Sequence, residues 1–86
     1  MRVRIPTPLR SYTHQRSVVE ASGSSVAEVL ASLERQFPGF RFRMVDEQGA
    51  LRQHMKVFVN QDMTRDLATP VATHDEVTIM QALSGG

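Results

Sequence analysis

The chain has 86 residues, ten Lys plus Arg against nine Asp plus Glu, three His, no Cys and no Trp, with 41% hydrophobic content. That length holds one small domain, and the missing thiol excludes disulfides, thiolate zinc sites, iron–sulfur ligation and a cysteine nucleophile together. A net charge of +1 is too near neutral for a dominant nucleic-acid phosphate term.

The opening Met1-Arg2-Val3-Arg4-Ile5-Pro6 is basic, but no apolar stretch follows that would make it a secretion signal. No uninterrupted apolar run of about 20 residues offers a membrane span either, so a cytoplasmic protein without membrane contact is expected. Val3 and Ile5 alternate with Arg2 and Arg4, which predicts a half-buried strand over 2–5 that Pro6 and Pro8 close. Ser17-Val18-Val19-Glu20-Ala21 predicts a second strand, joined to the first as a hairpin, and Ser22-Gly23-Ser24 punctuates it. Ser25-Val26-Ala27-Glu28 reads as a capping box that starts a helix. Val26, Val29, Leu30, Leu33 and Phe37 form its apolar stripe, Glu28, Ser32, Glu34 and Arg35 lie off the stripe, and Pro38-Gly39 ends it. Residues 40–54 read as a loop or irregular crossover with one short edge strand. Met55-Lys56-Val57-Phe58-Val59-Asn60 alternates again, with Met55, Val57 and Val59 on one face and Lys56, Phe58 and Asn60 on the other. Polar turn signals around Pro70 occupy 61–76, and Val77-Thr78-Ile79-Met80-Gln81 is the last strand.

Strand, strand, helix, strand, strand in so short a chain demands one sheet with one helix across a face. Hairpins at each end place the first and last strands side by side in parallel. The expected fold is therefore α+β: a β-grasp (ubiquitin-like) domain over 1–86, with a mixed four- to five-stranded sheet and one main helix.

Chemistry-bearing constellations are scarce. His14, His54 and His74 are far apart in sequence and have no acidic partner at ligand spacing, so no metal site is expected. The glycines never group into a phosphate loop, so the chain is expected to bind no cofactor of its own. Asp46-Glu47 and Asp75-Glu76 are sequence neighbours that point apart rather than sharing a substrate. Arg2, Arg4, Arg10, Arg41, Arg43 and Arg52 mix with Phe40 and Phe42, yet Phe37, Phe40 and Phe42 fit a core equally well, and no nucleic-acid partner is expected. Residues 1–16 carry four arginines and no acid, whereas residues 61–86 carry Asp62, Asp66, Asp75 and Glu76 against Arg65. An acidic C-terminal part suits docking of that end onto a basic partner surface.

What remains is the terminal Leu83-Ser84-Gly85-Gly86. Two glycines in succession lack Cβ atoms and can thread a channel too narrow for other residues. Val57-Phe58-Val59-Asn60 followed by Asp62 and Arg65, Asp75-Glu76-Val77-Thr78-Ile79 and this ending resemble the MoaD/ThiS family of ubiquitin-like sulfur carriers, as do Val3-Arg4-Ile5-Pro6 and the Ser22-Gly23 turn. The likeness is strongest to the molybdopterin-synthase small subunit and the cysteine-biosynthesis carriers, and it covers essentially the whole chain. Gln61 and His74 stand where relatives often carry glycine, and Gln81-Ala82 where many have proline. The resemblance implies a carrier and not an enzyme. An E1-like partner would use ATP to adenylate Gly86, a sulfur donor would leave a Gly86 thiocarboxylate, and an acceptor enzyme, a molybdopterin-synthase large subunit or a cysteine-synthase-like protein, would take the sulfur. Leu83, Ser84 and Gly85 would thread the partner's active site as a flexible diglycine tail over 83–86. Phe58, on the face opposite Val57, is expected to form a partner-docking patch with Met80 and Leu83. A modifier joined to lysines through Gly86, and a β-grasp binding module without terminal chemistry, are the alternative functions on the same fold.

Overall fold

Five strands and two helices account for the secondary structure of the computed structural model, which describes residues 1–82. They are β1 (Arg2–Arg4), β2 (Val18–Glu20), α1 (Val26–Gln36), α2 (Phe40–Met44), β3 (Met55–Val59), β4 (Asp62–Thr64) and β5 (Glu76–Gln81), with a 3-10 helix over Thr7–Thr13 between β1 and β2. The sheet order is β2-β1-β5-β3-β4, with β1 and β5 parallel and every other pair antiparallel. This is the expected β-grasp.

The alternation in β1, β3 and β5 decides which face is covered. Val3 lies opposite Val19 on one side and Val77 on the other, and Val57 lies opposite Ile79. These side chains meet Val26, Val29, Leu30 and Leu33 of α1 in a single buried cluster. Burying a side chain of this size is worth about 1.5–3 kcal/mol, so the one apolar stripe of α1 and the inner face of the sheet carry the fold together.

The start of α1 is held more tightly than a capping box requires. Ser25 Oγ accepts from Glu28 N at 3.2 Å, while Glu28 reaches one residue past the cap and accepts from Ser24 N at 2.9 Å and Ser24 Oγ at 3.0 Å. The remaining orphan amides, Val26 N and Ala27 N, donate to Thr69 O and Leu67 O. Segment 65–71 therefore owes its course to the helix it caps, because its carbonyls satisfy donors that no turn of α1 reaches. Gly23 is needed at this junction: at φ +147° a Cβ would lie 2.7 Å from Glu28 Cβ and 2.8 Å from Val29 N.

Several expectations are corrected. Residues 40–54 contain helix α2, with Phe40, Met44, Val45 and Leu51 in the core, and only an isolated bridge joins Val45 to Leu51. Phe37 and Phe40 are core residues, while Phe42 is exposed. Within 61–76, Asp62–Thr64 is a strand that pairs with β3 through Val57↔Thr64, Phe58↔Met63 and Val59↔Asp62. Three residues are too few for alternation to register in sequence. Ser32, placed off the helix stripe, is buried because its Oγ accepts from Ser22 N at 3.2 Å. Glycine is dispensable at Gln61 because the left-handed residue of the β3–β4 turn is Asn60, at φ 56°. Asn60 Nδ2 also donates to Asp75 Oδ1 and its Oδ1 accepts from Glu76 N, tying that turn to the start of β5.

Arg65 explains one residue of the family-like pattern. Its guanidinium donates to Met55 O at 2.8 Å, Leu51 O at 3.1 Å and Arg52 O at 3.2 Å, fixing the chain as it enters β3. Arg65→Met is expected to lower stability by about 2 kcal/mol, the scale of lost hydrogen bonds to a charged group. Arg65→Lys should recover only part of it, since an ammonium lacks the planar fork. Urea midpoints at unchanged m-value measure this.

Five carboxylates are held below their ordinary pKa by the bonds they accept. The leading cause is Ser24 N for Glu28, Gly39 N for Glu34, Ala50 N for Asp46, Ala72 N for Asp75 and the Arg4 side chain for Glu76. A pKa depressed by folding gives stability that is complete above the unfolded carboxyl range and disappears as pH falls through the folded values. The melting temperature should thus be level between about pH 7 and 5 and fall steadily below about pH 4. Circular-dichroism melts across that range test it, and an unchanged midpoint at low pH would contradict these assignments.

Candidate functional site

Among the described residues no helix covers the face of the sheet away from α1. Cross-strand register sets its contents: Phe58 lies between Met63 of β4 and Thr78 of β5, Thr78 is followed by Arg4 of β1 and then Val18 of β2, and Lys56 lies beside Met80. Met80 and Met63 are 49% and 55% exposed, and Phe58 is half-buried between its neighbours. Arg4 Nε donates to Glu76 Oε1 at 2.8 Å across this face. The surface is a short apolar ridge bordered by Arg2, Arg4 and Lys56. Phe58 and Met80 thus share one face as expected, although Phe58 is less open than predicted because β4 delivers Met63 against it. Met63 is the member of this ridge that the sequence concealed.

Beyond the last strand, Ala82 N donates to His54 O at 2.8 Å, which places the root of the terminal segment beside residues 52–54. The predicted Leu83, Ser84, Gly85 and Gly86 lie outside the described residues, and so does the Leu83 contribution to the ridge. Parallel pairing of β1 with β5 also brings the β1–β2 connection to this end of the sheet. Around the root stand Arg52, whose guanidinium lies 4.7 Å from the centre of the Phe42 ring, and Arg43, 5.4 Å from that of Tyr12. Arg52 Nε additionally donates to Phe42 O at 2.8 Å.

The acidic C-terminal stretch is not where the tail leaves. Asp62, Asp75 and Glu76 sit at the far end of the sheet, by the Asn60 turn and the start of β5. The expected docking of an acidic tail end onto a basic partner is therefore reversed: the tail leaves among arginines. Among the described residues no group of three His, Asp or Glu is arranged to hold a metal ion, and no helix there is long and apolar enough to cross a membrane.

The fold that positions the ridge and the root of the terminal segment is shared with known proteins. The ThiS family profile matches residues 3–86. The chain belongs to the ThiS family. Sulfur carrier protein CysO of Mycobacterium tuberculosis is 37% identical over 89 residues, covering 98% of this chain and 96% of the relative. Among solved structures, the Amycolatopsis orientalis BexX/CysO complex contains a chain that superposes with a TM-score of 0.92 at 35% identity, covering 99% of this chain and 98% of that one. The small archaeal modifier protein 1 of Methanosarcina acetivorans matches with a TM-score of 0.81 at 26% identity, covering 99% of this chain and 94% of that chain.

Met80 is exposed and Phe58 supports its neighbours, so the two separate binding from folding. Met80→Glu is expected to leave the melting temperature within a few degrees of the original while weakening partner binding by about 1–3 kcal/mol. Phe58→Ala should cost both binding and some stability. Calorimetric titration and thermal melts on the same preparations check the split, and a Met80→Glu protein that binds normally would remove the ridge from the interface.

Proposed function

We propose that this ThiS-family protein is a sulfur carrier whose reactive group is the Gly86 carboxylate. The observation that carries the reading is family membership over residues 3–86 in a chain ending Gly85-Gly86. Kinship with sulfur carrier protein CysO favours cysteine biosynthesis over molybdopterin as the destination.

The chemistry follows from what a carboxylate lacks. Its oxygen is a poor leaving group, so an E1-like partner transfers the AMP moiety of ATP to it and releases pyrophosphate. A sulfide then attacks the acyl carbon, the acyl–oxygen bond to AMP breaks, and Gly86 is left as a thiocarboxylate. That sulfur is a soft nucleophile, held covalently yet transferable to an acceptor enzyme. ATP belongs to the activating partner, and this chain contributes the acyl group and the surfaces that dock it. Gly85 and Gly86 present no Cβ to a narrow channel, and the ridge of Phe58, Met63 and Met80 gives the partner an apolar hold beside the tail root.

A second reading is favoured by the match to small archaeal modifier protein 1: the same activated Gly86 would be attacked by a lysine amine, forming an isopeptide bond. Intact-mass analysis after incubation with the activating enzyme, ATP and sulfide separates the two. The expected result is one oxygen replaced by sulfur, localised by fragmentation to Gly86. Isopeptide adducts on lysines would favour the modifier, and an unmodified mass with every E1-like enzyme offered would leave a binding module. Deletion of Gly86 or Gly85→Ala should block activation with the melting curve unchanged, because the described hydrogen-bond network ends at Ala82.

A further inference from the structure

The charge at the tail end is not explained by the fold or by the ridge. Three segments meet there: 6–17, 40–44 and 52–54. They contribute Arg10, Arg16, Arg41, Arg43 and Arg52, with His14 and His54, and no Asp or Glu. Phe42, Arg43, Arg52 and His54 line one depression, and Ala82 N is bonded to His54 O at its edge. Phe42 is 58% exposed, yet its ring is roofed by a guanidinium and its backbone is pinned by the same arginine. Among the described residues no carboxylate lies within salt-bridge distance of Arg41, Arg43 or Arg52. The nearest acids, Glu34, Asp46 and Glu47, line the adjoining depressions with Arg41, Phe42 and Arg52; Glu34 accepts from Gly39 N and Arg41 N, and Asp46 from Gln48 N and Ala50 N. Glu20, Asp62, Asp75 and Glu76 belong to the opposite end of the sheet, Glu28 caps the start of α1, and Asp66 lies beside Gly49, Ala50 and Leu51.

We propose that this collar of Arg41, Phe42, Arg43, Arg52 and His54 is a second contact surface, and that its partner is an acidic rim around the channel of the activating enzyme that receives the tail. This rests on the carrier reading above and specifies the partner's chemistry. Any enzyme that draws in the residues beyond Ala82 brings its channel mouth against whatever surrounds Ala82, and here that is the collar. The signs then fix orientation. An acidic rim attracts the collar, while the cations that the site must hold for nucleotide phosphates attract the terminal carboxylate inward. Phe42, presented by Arg52, offers the rim an apolar anchor within the cationic field.

Initial rates of pyrophosphate release by the activating enzyme with ATP and sulfide present, measured against carrier concentration at about 50 and about 300 mM salt, test the collar directly. The wild-type KM should rise with salt, as screening of a complementary charged contact requires. The double variant Arg41→Glu, Arg43→Glu should raise KM about tenfold or more, with kcat within about twofold, and lose the salt dependence. Arg41→Gln, Arg43→Gln provides a milder change should the reversal disturb folding, and its KM should rise about threefold. Asp62→Arg, at the far end, should leave KM within about twofold. A folded double-Glu variant with wild-type KM, a salt-insensitive wild-type KM, or an equal effect of Asp62→Arg would each overturn the collar while the carrier reading stands. Salt-sensitive oligonucleotide binding lost in the double variant, with KM unchanged, would assign the surface to a nucleic acid and overturn it too. No adenylate or thiocarboxylate on the wild-type chain would overturn both.

Discussion

Parallel pairing of β1 with β5 is the constraint on which the rest of the molecule depends. Val3 opposite Val77 commits Arg2 and Arg4 to the outer face, and a slip of one residue would drive both guanidiniums into the core. A parallel pair cannot be closed by a tight turn, so the intervening chain must cross over, and α1 does so while covering the apolar face. The same pairing sets direction: the end of β5, the β1–β2 connection and the start of β3 all arrive at one end of the sheet. Position of the tail, exposure of the ridge and the segregation of charge are consequences of that register.

A domain of this size buries too little apolar surface to leave its loops to chance, and polar side chains hold them by bonding backbone. Glu28, Glu34, Asp46 and Asp75 each accept from one or more backbone amides, and Arg65 donates to three carbonyls. Each amide so engaged is a donor that secondary structure leaves unpaired. Glu28, Glu34, Asp46 and Asp75 are therefore local fasteners that keep their charge while holding backbone in place. At the tail end Arg10, Arg16, Arg41, Arg43 and Arg52 outnumber the neighbouring carboxylates Glu34, Asp46 and Glu47, which leaves a net cationic field there.

The division of labour fits a ThiS-family protein. Among the described residues no group of three His, Asp or Glu is arranged to hold a metal ion, and on the carrier reading proposed above the reactive group is the Gly86 carboxylate. A fold serving such a group needs surfaces that bring it to other proteins in a fixed orientation. The apolar ridge of Phe58, Met63 and Met80 and the cationic collar around Ala82 flank the tail root on different elements, and the nearly neutral net charge conceals the polarity between the two ends of the sheet.

The fold class was legible because three local signals agreed: alternation in β1, β3 and β5, the Ser25 cap, and a five-residue apolar stripe in α1 that Pro38-Gly39 stops. The ending Gly85-Gly86 pointed to the family by residue type alone. What the sequence could not determine depends on contacts distant along the chain. β4 is too short for a period, and it exists because β3 offers it an edge. Segment 65–71 has no pattern of its own, since its carbonyls serve the amides of α1. Ser32 looked polar and exposed until Ser22 N was placed above it. The acidic run from Asp62 to Glu76 suggested an acidic tail end, but charge read along a chain gives no direction in space. Parallel pairing carries β5 from those acids to an exit among Arg43, Arg52 and His54, so the sequence by itself determined which groups the protein has, and the tertiary structure decided which of them stand beside the tail.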